Sequence, residues 1–71
     1  MRKYLVVFEK TKTGFSAYVP DLPGCIATGK NRLDVEKRIY DAITFHLEGL
    51  KESNQRIPRT SAESVVLFVN S

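Results

Sequence analysis

The sequence predicts an α+β domain of order β-β-β-α-β, with four short strands and one helix lying on one face of the sheet. Three observations carry this. Apolar residues alternate with a period of two in residues 3–9, 15–19, 25–30 and 64–69. They recur at helical spacing after Asn31. Turn-forming residues separate the first three alternating stretches: KTKTG, then PDLPG. The chain has 71 residues, so residues 1–71 are read as a single domain.

In the first strand Tyr4, Val6 and Phe8 share one face, and Leu5 and Val7 the other. Gly14 supplies the flexible point of the next turn. Phe15, Ala17 and Val19 share a face of the second strand, and Pro20 keeps Val19 extended. Leu22-Pro23-Gly24-Cys25 fits a type II turn, with proline presetting φ at the second position and glycine supplying a positive φ at the third. The third strand returns from that turn. Asn31 is placed to cap a helix, with Asp34 three residues on. Arg32's aliphatic stem, Val35, Ile39, Ala42, Ile43, His46 and Leu50 then line one face. Asp34 with Arg38 and Lys37 with Asp41 are spaced as i,i+4 ion pairs on a solvated surface. The polar stretch SNQRIPRTSAES leads to the fourth strand, where Val65, Leu67 and Val69 alternate with Val66 and Phe68. Strands one and four are thus apolar on both faces while one helix covers only one. A homodimer or higher homo-oligomer, or a different protein, is expected to cover the remainder.

Composition narrows the function. Hydrophobic residues are 42% and charged residues 27%, the balance of an ordinary globular protein rather than a disordered one. No stretch has the length of a membrane span or a signal-peptide core, so no membrane association is expected. A single cysteine cannot form an internal disulfide, which suggests a cytoplasmic setting. The net charge of +3 is concentrated in Arg2, Lys3, Lys10 and Lys12, short of a run of like charges that defines a nucleic-acid arm.

No catalytic, cofactor or metal site is expected. A nucleophilic Cys25 would need a base, and His46, the one histidine, lies on the helix face that covers the sheet. No third orienting group accompanies them, and a small buried thiol with a core imidazole is the simpler account. One Cys and one His fall short of the ligands zinc needs. The carboxylates lie on polar faces instead of converging, and no phosphate-binding glycine loop is present. The turn PDLPG is rigid, so it loses little entropy on binding. Asp21, Leu22 and Pro23 are the candidate partner-binding residues: Asp21 as an acid for a cationic partner, Leu22 as an apolar anchor. An Asx-type bond within its own turn is the competing role for Asp21.

The ordered set Gly14, Phe15, Ala17, Val19 to Cys25, Gly29 to Asn31, Ala42, Ile43, His46, Leu47, Ile57 and Pro58 resembles the amino-terminal domain of the HicB antitoxin family, over about residues 3 to 69. The resemblance implies a partial ribonuclease-H-like fold: a four-stranded mixed sheet with the fourth strand parallel to the first. It implies an interaction protein that binds and neutralises a small, basic, mRNA-cleaving HicA-like toxin, with the catalytic histidine on the toxin. Many family members carry a carboxy-terminal DNA-binding domain. This sequence ends soon after the fourth strand, so DNA binding is not expected of it. An antitoxin for a basic toxin would more comfortably be acidic than carry +3. A second reading is therefore a stand-alone RNA- or other nucleic-acid-binding module using Arg2, Lys3, Lys10 and Lys12, with no toxin. A third is an enzyme using Cys25 and His46.

Overall fold

The structure is a computed structural model, and it describes residues 2–71. Three strands, β1 (Val7–Lys10), β2 (Phe15–Tyr18) and β3 (Ile26–Gly29), precede one helix, α1 (Arg32–Glu52). The strands form an antiparallel meander in the order β1-β2-β3. Val7 pairs with Tyr18 and Phe8 with Ala17; Ala17 in turn pairs with Ala27 and Tyr18 with Ile26. This register sends Phe8, Ala17 and Ala27 toward the helix, and Val7, Tyr18 and Ile26 to the opposite face.

The core is built from Ala17, Val19, Leu22, Cys25, Val35 and Ile39. Tyr4, Val6, Phe8, Phe15, Ala27, Ala42, Ile43 and Leu47 pack around it. Between β2 and β3, residues 19–25, with Pro20, Pro23 and Gly24, fold as two stacked turns. The Leu22 amide donates to the Val19 carbonyl at 3.1 Å, and the Cys25 amide donates to the Leu22 carbonyl at 3.1 Å. Gly24 has φ of 83°, the left-handed geometry required at the third position of a type II turn. The Val19 amide, donating to the Cys25 carbonyl, closes the pair at the base.

Asn31 caps α1 as expected: its Oδ1 accepts from the Asp34 amide at 2.9 Å, and its Nδ2 donates to Asp34 Oδ2. The same bond occupies Asp34, and the expected Asp34–Arg38 pair does not form. Arg38 donates to the Thr28 carbonyl, tying helix to β3, while Arg32 pairs with Glu36 at 2.6 Å and lies 4.0 Å over the Phe8 ring. At the other end Asn54 takes φ of 57° just past the Ser53 cap. The Asn54 and Gln55 amides donate back to the Lys51 and Leu50 carbonyls, a Schellman stop that reverses the chain.

The sheet corrects the four-strand expectation. Residues 64–69 pair with nothing among the described residues, and the observed sheet is three-stranded and antiparallel rather than four-stranded and mixed. Val65, Val66, Leu67, Phe68 and Val69 are 74–98% exposed. Residues 3–6, expected within strand one, also stand outside the ladder, because β2 ends at Tyr18 and Pro20 follows. Alternation reports a segment suited to a sheet, but a strand also needs a partner edge. Neither stretch has one here.

A candidate partner interface

The two stacked turns position the candidate residues very differently. Leu22 is fully buried at 0% exposure, rooted in the core beside Val35 and Ile39. In this conformation it has no surface to offer a partner; it is the anchor of the turn, not of a complex. Pro23 and Gly24 form the exposed tip.

Asp21 does something the local sequence does not show. Its carboxylate accepts three hydrogen bonds from residues forty positions away: the Ser61 amide at 3.0 Å, the Ser61 hydroxyl at 2.8 Å and the Ala62 amide at 3.1 Å. These bonds, the Ala62 amide first, hold its carboxyl below the ordinary value of 3.8. A second tether lies alongside, where the Tyr4 hydroxyl donates to the Pro58 carbonyl at 2.9 Å. Residues 58–62 are thus strapped across one end of the sheet.

The strap carries a pH prediction. A carboxylate with a lowered folded pKa contributes stability above its unfolded value, lost as pH falls through the folded value. The Ser61 and Ala62 amide resonances should therefore shift together as pH falls below 3.8, and Asp21→Asn should abolish that step. Titration by NMR with no such step in the native protein would show that the carboxylate does not hold the strap.

Cys25 is buried at the base of the second turn, and burial pushes its thiol up from its ordinary value, away from the thiolate a nucleophile needs. His46 is half-buried on α1 near Ala42, Ile43 and Leu47, and among the described residues it shares no hydrogen bond with Cys25. The basic residues divide between two places. Arg2 and Lys3 line a cleft with Tyr4, Pro58, Arg59 and Thr60. Lys10 lies seven residues along the chain from Lys3, about 23 Å for extended backbone.

One surface went unread in the sequence. Tyr4, Val6 and Phe8 face Ile39, Tyr40 and Ile43 across a groove of about 410 Å³ between the outer edge of β1 and the helix. Tyr40 was legible as an aromatic, but its position beside the groove depends on how α1 crosses the sheet. No helix among the described residues is long and apolar enough to cross a membrane.

The fold is thus a three-stranded meander under one helix, strapped at one end by residues 58–62, with a rigid turn and a groove at its surface. Its kinship is specific. Residues 4–68 match the model of the HicB_like antitoxin of bacterial toxin-antitoxin systems, and the chain belongs to that family. It is 38% identical over 66 residues to a UPF0150 protein of Thermoplasma acidophilum, covering 92% of this chain and 96% of that one. It is 33% identical over 58 residues to an uncharacterized 14.9 kDa protein of Haemophilus phage HP1, covering 82% of this chain and 44% of the phage protein. Among solved structures it resembles a chain of a HicA3 and HicB3 toxin-antitoxin complex, with a TM-score of 0.71 and 30% identity. That match covers 84% of this chain and 70% of the other.

Proposed function

We propose that this protein is an antitoxin that binds and neutralises a small HicA-type, mRNA-cleaving toxin by occupying its surface, without chemistry of its own. The observation that carries the reading is the likeness, along most of the chain, to a protein solved within a toxin-antitoxin complex. The turn supports it physically. Pro23 and Gly24 are presented on two stacked hydrogen-bonded turns rooted by Leu22, so binding would order little that is not already ordered. In this reading Asp21 and Pro23 remain the contact residues, and Leu22 acts from beneath them.

Co-expression with a small basic protein encoded beside this one should restore growth that the neighbour alone arrests, and the two should co-purify. Asp21→Lys with Pro23→Ala should weaken the complex about tenfold or more, since a reversed charge at an interface is repelled, whereas Ser61→Ala, which loosens the strap and leaves the Asp21 charge in place, should bind far closer to the native protein. Calorimetry reads affinity and circular dichroism confirms that α1 is retained. Absence of rescue and co-purification would refute the antitoxin reading. Rescue with unchanged affinity in the variant would move the contact to the open sheet face or the outer side of the helix.

One observation favours the second reading, a nucleic-acid-binding module. Arg59 joins Arg2 and Lys3 around the cleft at the start of the chain, a local basic cluster that the linear sequence does not show. Retention of RNA that falls steeply with salt would support it.

A further inference from the structure

We infer that two copies of this chain exchange their carboxy-terminal segments, residues 64–70 of each adding as a fourth strand to the outer edge of β1 in the other and filling the apolar groove beside it.

The segment SVVLFVN carries no charge and no proline, so every amide can join a ladder. It is apolar on both faces, and its five successive apolar side chains stand in solvent, Phe68 at 98% exposure. Exposure on this scale is foreign to an isolated chain. The shape agrees. The radius of gyration is 14.0 Å, against about 11 Å for a compact chain of this length, and the longest extent is 48 Å.

The receiving site is equally incomplete. Among the described residues β1 pairs only with β2, and its other edge is open. Residues 3–6 continue that edge and have no ladder partner among the described residues. The groove runs along this edge on the helix side; Tyr4, Val6, Phe8, Ile39, Tyr40 and Ile43 form its apolar wall, and Arg2 and the Arg32–Glu36 pair complete its lining. A strand added there places alternate side chains in the groove and the intervening ones beside Leu5 and Val7 on the other face. A segment that is apolar on both faces is what such a position requires.

The strap decides between a chain's own edge and a partner's. Tyr4 holds Pro58 near the start of β1, but Asp21, which follows β2, then holds Ser61 and Ala62. The chain is therefore led across the sheet end, away from the outer edge of its own β1, before the apolar segment begins. A second copy offers the same edge without that constraint. The exchange is self-complementary and closes as a two-fold dimer. The exchange takes five large apolar side chains of each copy out of water, together with the grooves that they cover, toward the roughly 1,200–2,000 Å² that a stable interface needs.

The inference does not depend on the toxin, and its test needs only the full chain. Sedimentation at roughly 100 μM should show a species of twice the 8.0 kDa chain mass. Val66→Asp with Phe68→Asp should convert it to a monomer with an unchanged helical spectrum, since both side chains lie outside the folded core. Isotope-filtered NMR on a mixed labelled and unlabelled sample should give contacts between Phe68 of one copy and Tyr4, Val6 or Ile43 of the other. A native protein that stays monomeric overturns the proposal. So does a dimer that survives the double substitution, or one whose Phe68 contacts are all within a single copy.

Discussion

Leu22→Ala is expected to destabilise the protein by about 2–5 kcal/mol, the range for truncating a fully buried leucine. The side chain is completely enclosed, and it is the most deeply buried residue of the stacked turns, between Val19 and Cys25, which also reach the core. Removing it leaves a cavity under two stacked turns whose backbone bonds depend on staying in register. A domain of this length has a total stability of only about 4–11 kcal/mol. The loss therefore takes a large share, and the thermal midpoint should fall by on the order of 10 °C or more. Thermal denaturation followed by circular dichroism measures it. Pro23→Ala, at the exposed tip of the same turn, is the internal comparison and should move the midpoint far less. Equal small shifts in both variants would show that the turn is not rooted through Leu22.

Gly14→Ala should be nearly as damaging, for a different reason. A methyl group on Gly14 would fall inside hard contact with the Gly29 carbonyl oxygen and only 2.8 Å from the Lys30 Cα. Both obstacles are backbone, so neither can swing aside. The β1–β2 turn itself is held by the Thr11 amide donating to the Gly14 carbonyl and the Gly14 amide donating to the Thr11 hydroxyl. The chain must open the Phe15–Gly29 end of the β2–β3 ladder or distort this turn. Overpacking of this kind costs about 1–3 kcal/mol. Urea unfolding should show a lowered midpoint with an unchanged slope. Amide exchange should accelerate first at Phe15 and Gly29. An unaltered midpoint would mean that the two backbones have slack the packing does not show. Gly49→Ala, where an added methyl meets open space, should do no harm.

These two glycines and the leucine also mark where sequence reasoning succeeds and stops. The first three strands, the type II turn and the Asn31 cap were legible because each is decided by residues within a few positions of one another. The helix stripe was legible in the same way, since Val35 and Ile39 do turn inward. The expected fourth strand does not form within the chain, because the pattern of residues 64–69 says only that they suit a sheet and not that an edge lies beside them. Leu22 was misplaced because a turn rich in proline and glycine reads as surface, and nothing local distinguishes a side chain folded under the turn from one projecting out of it. Asp21 was read either as a partner contact or as a bond within its own turn, and its actual ligands lie forty residues on. The nearest local cue is the hydroxyl and small residues of RTSAES, which suit capture by a carboxylate but do not name one.

The strap has a kinetic side. Every ladder pair joins residues at most fourteen positions apart, the widest being Phe15 with Gly29. Contacts this local close quickly, so the meander and helix should form on the fast end of the range for mixed domains. The Asp21 bonds must wait for a loop of forty residues to close around that body, and they add little until it exists. Folding should then order itself in two stages, a rapid unimolecular collapse of residues 7–52 followed by docking of residues 58–62. Between those stages an uncharged, β-prone segment trails free, and chain concentration during refolding should govern how often it finds a foreign edge before its strap is fastened.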